Sequence, residues 1–198
     1  KGHQYIIRIP TQGSLLVSNR NKLIQMFWES EADWMVCIDS DLSFNADHIL
    51  EVMESNVDVF AGVYPLRDKS TFVFRPDTFE DGRIKIDEKT DYLKLQYAPA
   101  GFMMFQRHVI AKMREMYPNL YYEPKDPNFK EDKGYAFFNT ELMNGEFWGE
   151  DYIFCHRIRE SGFEIHTNPL IEYNHAGVKG AMMDILTDDP TKKSTISI

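Results

Sequence analysis

The sequence predicts an α/β domain built on a mostly parallel sheet, and three observations carry that reading. Short apolar runs alternate with amphipathic stretches through the first third of the chain. The runs are too short to be buried helices. Their strand–helix–strand spacing fits a βαβ crossover, which joins parallel strands. The 198 residues suit one domain, read here as 1–198, and 43% hydrophobic residues can build its core without disulfides or metal staples.

Tyr5 to Ile9 alternates and is β-branched, so a strand is expected there, broken by Pro10-Thr11-Gln12-Gly13. From Ser18, a candidate N-cap, Leu23, Ile24, Phe27 and Trp28 recur at helical spacing. Trp34-Met35-Val36-Cys37-Ile38 is a continuous apolar run suited to a strand buried on both faces. Asn45 or Asp47 opens a helix that ends near Asn56, and Val57 to Ala61 is the next buried strand. Thr71 to Phe74, Arg83 to Ile86 and Tyr92 to Ala98 form a small antiparallel subsheet, with Glu80-Asp81-Gly82 as a turn. Gln106 to Tyr117 is a helix stopped by Pro118, and 119–135 is a long aperiodic loop. Glu150 to Ser161 is a helix closed by Gly162, followed by short strands at 164–167 and 171–173. The tail from Asp188 is polar and expected to fray. No internal repeat is present.

Charge narrows the partners. Lys and Arg number 22 against 31 Asp and Glu, a net charge of −9, so the chain repels polyanions and nucleic acid is excluded as a partner. A phosphorylated small molecule still binds if a cation or a local Arg mediates. The longest uncharged apolar stretch, Tyr97 to Phe105, contains Pro99 and Gly101 and falls well short of the ~18 residues of a membrane span. Cys37 and Cys155 belong to no spaced framework, which predicts reduced thiols and, with no secretory signal visible, a cytoplasmic location. The chain opens on Lys1, as expected of a processed or trimmed piece.

Four places can carry chemistry. Asp39-Ser40-Asp41 directly follows a buried run; if the segment is extended, both carboxylates face one hard cation such as Mg²⁺ or Mn²⁺. A D-x-D arises by chance about once in a chain this acidic, so its placement at a strand end matters more than its presence. Gly149-Glu150-Asp151 opens the last long helix, where acidic residues either serve the helix dipole or hold a rigid general base. His175 sits at a strand end before Ala176-Gly177, as a structural imidazole or a metal ligand. Ala100-Gly101 permits close approach of a ligand or a tight bend. Arg20-Asn21 offers a cation and an amide to a nucleotide, or simply a solvated helix face.

In this order, Asp39-Ser40-Asp41, Ala100-Gly101, Gly149-Glu150-Asp151 and His175 resemble the motifs of the GT-A nucleotide-sugar glycosyltransferases. Arg20-Asn21, Ala61-Gly62-Val63-Tyr64-Pro65 and Glu150-Asp151-Tyr152-Ile153-Phe154-Cys155 are similar to segments of small bacterial and viral members. The resemblance covers residues 14 to 177. It implies a Rossmann-like GT-A sheet flanked by helices, and a sugar moved from a nucleoside-diphosphate sugar, UDP favoured, to an acceptor hydroxyl. The acceptor is a glycan, a glycoprotein or a lipid-linked sugar. Few residues precede Arg20, so either the first βα unit is absent or the topology is shortened.

The resemblance also implies roles. Asp39, Asp41 and His175 would hold Mn²⁺ or Mg²⁺, and Asp151 would deprotonate the acceptor for an inverting attack, with Glu150 orienting it. Arg20, Asn21, Asp39, Ser40, Gly101, Tyr64 and Arg67 would line the donor. Two rivals stand beside this reading: a metal-dependent nucleotidyltransferase, and a non-catalytic module that binds a sugar nucleotide or glycan.

Overall fold

The computed structural model describes residues 4–9, 15–66, 71–126, 128, 133–176 and 178–182. Helix α1 spans Leu16–Glu29 and turns Ile24 and Phe27 inward. Ser18, expected at its cap, lies inside it. Its last turn is capped from a distance: the Arg107 guanidinium donates to the carbonyls of Phe27 at 3.0 Å, Trp28 at 3.1 Å and Ala32 at 2.8 Å, satisfying oxygens that a helix end leaves open. Strand β1 is Trp34–Ile38 and β2 is Leu42–Ser43. Helix α2, Asp47–Glu54, starts where the Asn45 side chain accepts the Asp47 N–H at 3.0 Å. Just beyond its end lies Asn56 at φ 61°. Strand β3 is Val59–Ala61, buried throughout.

The middle of the chain adds β4 (Arg75–Pro76), β5 (Leu93–Tyr97) and β6 (Phe102–Gln106), then helix α3 (Arg107–Met116). A 3₁₀ turn at Pro118–Leu120 leads to β7 (Tyr121–Tyr122), β8 (Gly134–Tyr135) and the hairpin β9 (Glu141–Met143) to β10 (Glu146–Trp148). Helix α4 (Glu150–Glu160) precedes β11 (Ile165–Thr167), β12 (Glu172–His175) and β13 (Val178–Ala181).

The principal sheet has the order β1-β6-β3-β11-β5-β4, and helices cover both of its faces. The α/β class holds. The mostly parallel sheet does not, because only β3–β11 pairs parallel while the other four pairings are antiparallel. The expected βαβ unit is present in direction: β1 and β3 point the same way. They are not neighbours, because β6 inserts between them and pairs antiparallel with each. Strand β6 carries four consecutive buried residues, Phe102-Met103-Met104-Phe105. Phe102 and Met104 pack on one face, and Met103 and Phe105 on the other, the pattern of an interior strand.

Two further expectations are adjusted. Strand β1 packs on both faces, Met35 and Cys37 on one and Trp34 and Val36 on the other, but it lies at the sheet's edge, so its burial is partial and Ile38 is exposed. Tyr5 to Ile9 joins no sheet among the described residues, and Tyr5, Ile6, Ile7 and Ile9 are exposed. The breaker Pro10 to Gly13 and the tail from Asp188 lie outside the described residues. Of the middle strands, Thr71 to Phe74 and Arg83 to Ile86 reduce to isolated bridges. A small antiparallel sheet does exist elsewhere, in the order β13-β12-β2. Among the described residues, no helix is long and apolar enough to cross a membrane.

Candidate functional site

The pairing of β6 with β1 and β3 gathers the motifs. Ile38 stands opposite Phe102 and Ala61 opposite Met103. The ends of β1 and β3 and the start of β6 therefore share one edge. The ladder continues past the strands: Asp39 N–H donates to the Gly101 carbonyl at 2.7 Å, and Gly62 N–H to the Phe102 carbonyl at 2.9 Å. Asp39, Gly101 and Tyr64 thus meet, although the first two stand 62 positions apart in the chain.

Asp39-Ser40-Asp41 is a turn, not the extended segment expected. The Leu42 N–H donates back to the Asp39 carbonyl at 3.1 Å, which closes a β-turn with Ser40 exposed at its tip. Residues two apart face one way only in a strand, so the two carboxylates have different partners. Asp39 turns to Arg20 at 3.5 Å, and Asp41 Oδ2 to His175 Nε2 at 3.3 Å. The second contact is built by strand pairing, with His175 opposite Leu42 and Ala176 N–H donating to the Asp41 carbonyl at 2.9 Å. His175 Nδ1 donates to the Pro65 carbonyl at 2.7 Å. In the neutral ring this fixes the tautomer with the lone pair on Nε2, the atom facing Asp41.

Arg20 is the hub of the site. Its side chain is 8% exposed, stacks over the Phe138 ring at 5.4 Å, and touches Asp39, Asp151 and Glu150, the last at 3.4 Å. Burial opposes its charge, but Asp151, Asp39 and Glu150 together raise its pKa. Three carboxylates around one guanidinium leave two negative charges in a partly dry pocket. Such a pocket repels a diphosphate unless a cation accompanies it.

Asp151 lies in the first turn of α4, after Gly149, which makes no side-chain cap bond. Burial raises its pKa most, and Glu150 adds to the shift; Arg20 and the Ala100 N–H work against it, and the net direction is upward. A carboxylate raised this way is a stronger base than an exposed one.

Gly101 is required by contact rather than by backbone angle. A Cβ there would overlap the Tyr64 hydroxyl and come within 2.7 Å of Asp39 Oδ2. Tyr64 packs edge-on to the His175 ring at 5.0 Å. Its phenol pKa is pushed far up by burial and then by Asp39 and Asp151, so it stays neutral. Tyr64 therefore braces the site from below.

Asn21 is 4% exposed, and its amide exchanges two 2.8 Å hydrogen bonds with the Phe138 backbone. It pins α1 to the segment before α4, and both ends of the amide are engaged there. Arg67 lies outside the described residues. Sequence reasoning missed the Pro65 carbonyl, the Ala100 N–H and Phe138. The first two are backbone groups, which carry no signature in side-chain pattern.

Neither a protein-family model nor a curated protein sequence matches the chain. Among solved structures it is similar to the crystal structure of A197 from STIV. The likeness covers 83% of this chain and 69% of that one, at 15% identity and a TM-score of 0.48.

Proposed function

We propose that the chain is a metal-dependent glycosyltransferase of GT-A type, moving a sugar from a nucleoside-diphosphate sugar, UDP favoured, to an acceptor hydroxyl with inversion. The acceptor is a glycan, a glycoprotein or a lipid-linked sugar. One observation carries the reading. Arg20, Asp39, Gly101 and the Glu150–Asp151 pair, far apart in sequence, converge on one sheet edge beside the Asp41–His175 contact.

The residues present fit a divalent cation. One carboxylate and one imidazole, Asp41 and His175, stand 3.3 Å apart, and the imidazole is oriented by a backbone carbonyl. A mixed oxygen–nitrogen set suits Mn²⁺ better than Mg²⁺, which prefers oxygen alone. Asp39 turns instead to Arg20, beside Glu150 and Asp151. A cation bound there would supply Lewis-acid neutralisation of charge on the departing diphosphate.

The chain's own groups do the rest. Asp151 takes the acceptor's proton on a carboxylate oxygen, held rigid by the start of α4 and made basic by burial. Arg20 holds that carboxylate in place and favours its ionised form against the effect of burial. Glu150, at the same guanidinium, orients the pair. Gly101 lets the Tyr64 hydroxyl and the Asp39 carboxylate close against the backbone, which sets the position of Asp39 at the site.

The test is product analysis with a panel of sugar nucleotides and Mn²⁺. Release of nucleoside diphosphate is expected, and Asp151→Asn should retain nucleotide binding while losing about 10²–10⁴-fold in turnover. Near-wild-type turnover in that variant would overturn the base assignment. Release of pyrophosphate would identify a nucleotidyltransferase, and binding without hydrolysis or transfer a non-catalytic module.

A further inference from the structure

A second group of ligating side chains lies away from this edge. His166 on β11 shares a sheet face with Glu164, two residues before it, and faces Asp87 in the turn that precedes β5. Nε2 of His166 is 3.8 Å from Glu164 Oε2 and 3.9 Å from Asp87 Oδ2, and the three ligand atoms all lie within 4.8 Å of one another.

His166 supplies an independent reason to look for a ligand. It is 7% exposed, and neither ring nitrogen completes a hydrogen bond, although the Val59 carbonyl also lies toward the ring. Buried polar side chains are nearly always satisfied, so an imidazole left in this state requires an explanation. The ring faces two carboxylates, Asp87 and Glu164, that could share an ion with it.

We propose that His166 Nε2, Asp87 Oδ2 and Glu164 Oε2 form a binding site for Zn²⁺, distinct from the Asp41–His175 centre. One imidazole and two carboxylates, with water in the remaining position, is a zinc donor set. Tetrahedral zinc at its usual bond lengths separates ligand atoms by about 3.4 Å, so the two pairs that include His166, at 3.8 and 3.9 Å, close by about half an ångström or less. The outer shell is in place. Asp87 Oδ1 accepts from Thr90 Oγ1 at 2.9 Å and from the Thr90 and Lys89 N–H groups, which leaves Oδ2 toward the imidazole. Lys94, opposite His166 on β5, contacts both Glu164 oxygens, at 2.7 and 2.9 Å. Zinc would displace it from Oε2 and leave it on Oε1. The bound ion would tie β11 to the 87–92 turn.

Zn²⁺ titration by calorimetry on the full chain tests this, with Asp41→Asn as a background that weakens the other centre. One Zn²⁺ per chain should bind in that background, and Asp87→Asn or Glu164→Gln should each weaken it at least tenfold. Nitrogen NMR of the wild-type chain reads the same site without substitution: the His166 Nε2 resonance should move on adding Zn²⁺. Uptake indifferent to both carboxylate variants, or a His166 resonance unmoved at saturation, would overturn the site.

Discussion

Taking the guanidinium from Arg20 would leave Asp39, Glu150 and Asp151 facing one another with no cation between them. Arg20 lowers the pKa of Asp151 against the larger upward effect of burial. Its loss therefore raises that pKa further. A base works only when ionised, so in Arg20→Met the acid limb of the pH–rate profile should move to higher pH. The profile of kcat/KM for donor hydrolysis checks this, and a limb that stays put or moves to lower pH contradicts it. At this scale the sequence was informative about identity and silent about geometry. Arg20, Asp39, Asp41, Glu150, Asp151 and His175 are all recognisable as candidates from residue type and position. That Asp39 and Asp41 part company is not, because whether a D-x-D is extended or a turn depends on the Asp39–Leu42 hydrogen bond.

Helices were the legible elements. The 3.6-residue period survives in α3 and α4 because each buries one stripe, Val109, Ile110 and Met113 in α3 and Ile153, Phe154 and Ile158 in α4. Strand β6 was not legible: four buried residues in a row have no period, and the run sits between a Pro-Gly bend and a helix. Missing it made the βαβ unit read as a parallel pair, when β6 in fact separates the two strands. The hairpin β9–β10 was missed for the opposite reason, since Leu142 and Phe147 are exposed and give no inward pattern. Asn21 joins two elements that must stay in register for Arg20 to reach α4. Replacing it by Ala leaves the Phe138 N–H and carbonyl buried without partners, an expected loss of about 2–3 kcal/mol. Urea denaturation should show a lower midpoint at unchanged slope; a midpoint within error of wild type would mean the contact contributes nothing.

The whole molecule carries a net charge of −9 and concentrates part of it at the candidate site, so pH and cations act on fold and function together. His166 is depressed below its ordinary pKa, chiefly by burial, with Asp87 and Glu164 opposing. A depressed histidine stabilises the fold above its unfolded value, near ~6.5, and that contribution is lost as pH falls through the folded value. Asp151, raised in the fold, acts in the other direction and does so equally in wild type and in His166→Gln. In EDTA, the wild-type urea midpoint should therefore fall between pH 7.5 and 5.5 more steeply than that of His166→Gln; parallel slopes would show that His166 does not carry the effect. Function is tested most directly by calorimetry with UDP, GDP and dTDP, each with Mn²⁺ and with EDTA, on the wild-type chain and on Asp41→Ala. Binding of one nucleotide that requires Mn²⁺ and disappears in Asp41→Ala is the predicted result. No binding to any of the three, or binding indifferent to both metal and Asp41, would contradict the metal-dependent sugar-nucleotide site.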